Sequence, residues 1–136
     1  MGAAPPAPAP VTADVTVVAV NLRNANGVVR ACLTNAEDHF PKCENPDDSM
    51  NLVREAAGTV KMTFRDVAPG RYAVALLHDE NDNGKADRAA MMIPTEGFGF
   101  SRDAKVRFGP PKFRDAAFDV EPGADEKLVI RMRYLL

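Results

Sequence analysis

The chain has no tryptophan, two cysteines, two histidines and two tyrosines among its 136 residues. Each scarcity excludes something. With only His39 and His78 to serve as a base, and no G-x-S-x-G elbow, a Ser-His-Asp hydrolase is not expected. Two cysteines without a neighbouring His/Cys cluster do not make a zinc module. A lectin-like stacking face is disfavoured where tryptophan is absent. No apolar run approaches the roughly 18 residues that cross a bilayer as a helix, so no membrane span is expected. Excess charge of one sign is missing too: 17 basic against 19 acidic residues leave a formal net charge of −2. The basic residues are scattered among acids, so nucleic acid is not an expected partner. Glycine-rich phosphate loops are absent.

What is present, with 46% of the whole chain hydrophobic, is enough for one domain with a proper core. Residues 1–13 stand apart as an Ala/Pro-rich segment, and the domain is read as 14–136. Met1-Gly2-Ala3-Ala4-Pro5-Pro6-Ala7-Pro8-Ala9-Pro10 has neither the basic start nor the apolar stretch of a signal peptide. It reads as an extended Ala/Pro tether of the kind that lies between a cleaved export signal and a periplasmic domain, with Met1-Gly2 a cloning remnant in place of that signal; a disordered cytosolic N-terminus is the alternative. A periplasmic or secreted location is therefore expected. Cys32 and Cys43 agree with export: a disulfide between them would close a short polar loop and stabilise the fold by about 3 kcal/mol.

Along the domain the dominant period is two. Asp14–Leu22 is a β-branched run, and Asn24-Ala25-Asn26-Gly27 supplies turn chemistry before Val28–Thr34, which predicts a hairpin. Residues 35–49 form a polar loop long enough to need a function or a cross-link. Met50–Ala57 fits a short helix or a strand, with the strand preferred. Val60, Met62 and Phe64 alternate with Lys61, Thr63 and Arg65, a half-buried strand. A Pro69-Gly70 turn leads into Tyr72–Leu77, apolar on both faces, as in a strand covered on both sides or flanked by a loop layer. Residues 95–113 mix Gly, Pro and Phe without a period and read as an ordered, irregular excursion. Ala116–Val120 and Glu126–Tyr134 close the chain around Pro122-Gly123, with Leu128, Ile130, Met132 and Tyr134 on the core face. About seven short strands and hardly any helix predict an all-β, antiparallel β-sandwich, transthyretin-like or immunoglobulin-like; a closed barrel is the alternative.

One stretch carries definite chemistry. Asp79, Asn81, Asn83 and Asp87 occupy positions 1, 3, 5 and 9 of a D-x-N-x-N-G-x-x-D pattern around Gly84. Alternate oxygen donors and a tight turn are what a hard cation needs, and the carbonyl of Lys85 would donate at position 7. The bidentate acid of a complete EF-hand is missing, because position 12 is Ala90; Glu96 is the nearest replacement. Two formal charges among the side-chain ligands imply weak Ca²⁺ binding, about 10⁻⁴–10⁻³ M. The plainer alternative is an Asn/Asp turn closed by its own side-chain bonds. Phe98, Phe100, Phe108 and Phe113 offer either a stacking surface for a glycan or protein, or a small core beneath a loop. Glu80, Asp82 and Glu96 could pair as hydrolytic carboxylates, but acidic chains commonly offer such pairs, and no enzyme is expected.

Four blocks then stand in order: Pro69-Gly70-Arg71-Tyr72-Ala73-Val74; His78 through Asp87; Ile93-Pro94-Thr95-Glu96-Gly97-Phe98-Gly99-Phe100-Ser101; and Gly109-Pro110-Pro111-Lys112-Phe113-Arg114-Asp115-Ala116. Together they resemble the bacterial domain-of-unknown-function family numbered 2141, over about Val15 to Tyr134. The chain departs at Ala89-Ala90-Met91-Met92, where a Gly-containing segment is more usual. The resemblance implies an exported protein. Its Pro-Gly-x-Tyr strand is also similar to those of transthyretin-like and carboxypeptidase regulatory-type sandwiches. It implies no activity. The expectation is an exported Ca²⁺-binding module whose loop braces the 95–113 surface for a partner; a metal-free glycan- or protein-binding module is the rival.

Overall fold

The structure is a computed structural model and describes residues 11–43, 46–82, 96–106 and 109–135. Period-two patterning dictates most of it. In β1 (Ala13–Val20), Ala13, Val15, Val17 and Ala19 are buried while the alternate residues are half-exposed. The same reading holds for β4 (Val60–Val67), which buries Val60, Met62 and Phe64. It holds again for β8 (Glu126–Arg131), which turns Leu128 and Ile130 inward. These three strands form one sheet in the order β4-β1-β8. The second sheet runs β3 (Ser49–Glu55), β2 (Val28–Thr34), β5 (Gly70–Asp79), β6 (Gly97–Phe100). The short β7 (Phe118–Val120) pairs with the start of β5. Eight strands are thus present among the described residues, with one single-turn α-helix, α1 (Phe113–Ala116), and three short 3-10 turns. The chain is an all-β sandwich.

Between the sheets lies the main core. Val15, Val17 and Ala19 of β1 meet Val29, Ala31 and Leu33 of β2 and Val74 and Leu76 of β5, with Phe64, Met62, Ile130 and Met132 filling the centre. Strand β3, the ambiguous segment, is a strand as preferred, and as the sheet's edge it stays largely exposed.

Two expectations about connection are corrected. The β1–β2 hairpin does not form: β1 pairs with β4 and β8, and β2 with β3 and β5. Asn21 turns into positive φ and its amide donates to the carbonyl of Met132, 2.9 Å away, while Leu22 N–H donates to Gly58 O. Those anchors send the chain across to the other sheet before the Asn-Gly turn can fold it back. The sandwich is also not wholly antiparallel, because β1 and β8 run parallel, Val17 opposite Leu128.

The excursion holds a strand that its sequence conceals. In β6, Gly97 and Gly99 point at the core-facing side chains of the chain's last segment. A Cβ on Gly97 would sit 2.3 Å from Tyr134 Cε2, and one on Gly99 2.8 Å from Ile130 Cγ2. Only glycine lets the strand lie so close, so its β propensity is invisible. The intervening Phe98 and Phe100 point the other way. There they join Phe40, Phe113, Ala73, Ala116 and Ala117 in a second, smaller core. The apolar outer face of β5 is therefore covered by a loop layer. Cys32 and Cys43 are disulfide-bonded and tie the 35–48 loop, with Phe40, onto this layer.

Candidate functional site

Strand β5 ends at a cluster of acids. Asp79, its last residue, has no solvent exposure. A buried carboxylate is stable only when paired, and a partner is Arg30 of β2. Arg30 Nε donates to Asp79 Oδ2 at 2.8 Å, and its Nη2 donates to Asp82 Oδ1 at 2.7 Å. Foremost, the Asp79 hydrogen bond holds the guanidinium above its ordinary pKa, against the opposing effect of burial. The chain turns at once: Asp82 N–H donates to Asp79 O at 3.2 Å, with Asp82 at φ 50°. Gly27 lies directly beneath, so close to the carbonyl of Asp79 that no side chain could stand there.

Glu80 faces the other way. Its carboxylate accepts from Arg23 Nε at 3.1 Å and from Asn24 Nδ2 at 2.8 Å. Burial alone would raise the Glu80 pKa, but the bonds from Asn24 and Arg23 outweigh it and hold the carboxyl below its ordinary value. Arg23 also lies over the Tyr134 ring, 4.5 Å from its centroid. Beneath both is His78, fully buried. Its Nε2 lies 2.8 Å from the carbonyl of Asn26 and therefore donates to it. Its Nδ1 meets the Tyr134 hydroxyl at 2.7 Å. For Tyr134 it is mainly burial that raises the phenol pKa.

The far end of the loop returns to the same place. Glu96 is 4% exposed, and its Oε2 accepts the backbone N–H of Glu80 at 2.6 Å. Two buried carboxylates, Asp79 and Glu96, thus flank the start and the end of one loop. Residues 17–127 match the family described as an uncharacterized protein conserved in bacteria, DUF2141. The chain belongs to that family. No curated protein and no solved structure matches it.

Asp79 and Asn81 are described, whereas Asn83, Lys85 and Asp87 lie outside the described residues. Among the described residues no three Asp, Glu, His or Cys side chains gather as a metal cage. Glu96, which the sequence offers only as the nearest acid, is brought within hydrogen-bond reach of the loop's start. Phe98, Phe100 and Phe113 are packed, each under a tenth exposed, and Phe108 lies outside the described residues. An open depression of ≈660 Å³ is lined by Asp103, Lys105, Pro110, Lys112 and Asp115 among others.

Sequence reasoning missed Arg30, Arg23, Asn24 and Tyr134. For Arg30 there was a signal: one charge within Val28-Val29-Arg30-Ala31-Cys32-Leu33 requires a partner if the strand is central. Asn24 carries none, because its turn chemistry predicts a hairpin that does not form, and Arg23 stands between the predicted strand and that turn with no pattern of its own.

Proposed function

We propose that this DUF2141 domain is an exported, non-enzymatic module whose 79–87 loop binds one Ca²⁺ ion. Asp79, Asn81, Asn83, the Lys85 carbonyl and Asp87 would be the ligands, with Glu96 standing in for the missing twelfth-position acid. The ion would brace the Gly/Phe/Pro-rich excursion 95–113 and the depression beside it for a protein or glycan partner. The observation carrying this reading is the return of Glu96 to Glu80, which places a second buried carboxylate at the loop's mouth. Calcium is hard and prefers carboxylate and carbonyl oxygen, which is what the loop offers. The Cys32–Cys43 disulfide supports export, since such bonds persist in oxidising compartments.

Catalysis is not assigned. Both nitrogens of His78 are engaged by Asn26 and Tyr134, and His39 is held by Asp48 in the cross-linked loop. A metal-free module is the second reading, favoured by the Arg30 fork that already neutralises Asp79.

Calcium titration separates the two. At ten times the dissociation constant, binding adds about 1.4 kcal/mol of stability, a rise of about 5 °C in Tm for a domain this size. Glu96→Gln should reduce that response and Asp79→Asn abolish it. An unmoved Tm together with no calorimetric heat at millimolar calcium sinks the proposal and leaves the metal-free module.

A further inference from the structure

Basic residues that are scattered along the sequence are gathered by the pairing of β1. On the outer face of the three-stranded sheet, Val18 stands in register between Lys61 of β4 and Val129 of β8. Thr16 stands likewise between Thr63 and Lys127, and Val20 beside Arg131. Lys61, Lys127 and Arg131 are exposed, as their alternation with inward-facing Val60, Met62, Leu128 and Ile130 requires. None of the three has an ion pair among the described residues. Arg65, a fourth cation, is held by Asp14 at 3.3 Å. Acids stand at the ends of the face: Asp14, Asp66 and Glu126 at one, and at the other Asp103, which accepts the backbone N–H of Arg131 at 2.9 Å. Strand spacing puts Lys61 about 10 Å from β8, level with Val129. Lys127 and Arg131 lie two residues to either side of Val129, so about 13 Å apart. The three cations thus line both sides of an uncharged strip of Thr16, Thr63, Val18 and Val129, and Val129 is 57% exposed.

We infer that this face binds a linear acidic polysaccharide, which lies along β1 with its anionic groups on Lys61, Lys127 and Arg131. Charge complementarity selects a polyanion, although the chain as a whole carries −2. A ribbon of linked acidic sugars presents its charges on alternate sides, as the cations do here. Sugar hydroxyls have partners in Thr16 and Thr63, whose own hydroxyls lie 3.1 Å apart and keep further bonding capacity. Ring C–H groups would meet Val18 and Val129. Other polyanions fit less well. An extended peptide adds to a free sheet edge, and β1 is paired on both sides. Single-stranded nucleic acid stacks on aromatic rings, and no aromatic residue occupies an outward position of these three strands. A bilayer needs an anchor beyond a basic patch, and the most exposed apolar group of this face is one short side chain, Val129.

Calcium plays no part in this contact, so the test titrates the full chain with an oligomannuronate in the presence of chelator. The logarithm of the binding constant should fall with that of salt at a slope of about −2, as for three cations on a single-stranded polyanion. Lys61→Gln, Lys127→Gln and Arg131→Gln should each remove about a third of that slope. The triple glutamine variant should lose binding, with its circular dichroism unchanged because all three side chains stand in water. Arg54→Gln, on the other sheet, should bind as wild type does. A wild type that does not bind, or a triple variant that binds equally well, overturns the inference. Polyglutamate, oligothymidylate or phosphatidylglycerol vesicles bound as tightly as the oligomannuronate overturn it too, by making the partner an acidic peptide, a nucleic acid or a membrane. Should the triple variant not fold, the single variants decide, and unchanged salt slopes in all three overturn the inference.

Discussion

Glu80 shows how a single side chain is tuned by neighbours distant in sequence. Arg23 and Asn24 hold its carboxyl below the ordinary value of 4.5. A depressed carboxyl stabilises the folded state at pH values above its unfolded pKa, and that contribution is lost as pH falls through the folded value. Urea midpoints of wild type should therefore fall from about pH 4.5 downward more steeply than those of Glu80→Gln. Parallel curves would show that the contacts with Arg23 and Asn24 contribute nothing. Asp79 and Arg30 are a second case. Removing Arg30 leaves a fully buried charge without this cation, a loss of about 3–5 kcal/mol when no other cation replaces it. Combining Asp79→Asn with Arg30→Gln should recover part of that loss in urea denaturation, because the buried charge then disappears. Sequence made the acids of this site legible and hid the bases. Oxygen donors at alternate positions around Gly84 form a local pattern, whereas the Arg30–Asp79 contact joins residues 49 positions apart.

At the scale of elements, β6 is the informative one. A strand written Gly97-Phe98-Gly99-Phe100 lacks the β-branched residues by which strands are usually found. Its glycines exist because Tyr134, Ile130 and Met132 occupy the space where side chains would stand. Gly97→Ala should therefore cost about 1–3 kcal/mol through overpacking. Most of that cost should vanish in a Tyr134→Ala background, where the obstructing ring is gone. If the cost in urea denaturation is the same in both backgrounds, the close approach is not its cause. The 35–48 loop belongs to this scale as well. The disulfide and Phe40 are two of its ties to the outer layer, with Phe40 meeting Phe100 and Phe113 edge to face at about 6 Å. Replacing Cys32 and Cys43 by serine should lower stability by about 3 kcal/mol and increase dye binding at the uncovered aromatic cluster. Unchanged dye binding would mean that Phe40 holds the loop without the disulfide.

For the whole molecule the two cores share one strand. Val74 and Leu76 of β5 face the inter-sheet core, while Ala73 lies in the aromatic layer with Ala75 packed against it. A strand common to both makes one cooperative unit the expected behaviour. Far-ultraviolet and near-ultraviolet circular dichroism should give coincident melting curves, and two separate transitions would show that the layer folds independently. The alternation of apolar and polar residues is a property of neighbouring positions. It was enough to establish most of the strands, their inward faces and the sandwich class, but not β6, whose glycines hide it. Neighbours in the sheets were beyond its reach. Hairpin chemistry at Asn24–Gly27 lost to the anchors of Asn21 and Leu22, and β8 took a parallel place beside β1. Strand pairing is chosen by which apolar faces close over a common core and by which distant groups satisfy buried charge. Tertiary packing therefore decided that Arg30 reaches Asp79 and that Glu96 returns to Glu80.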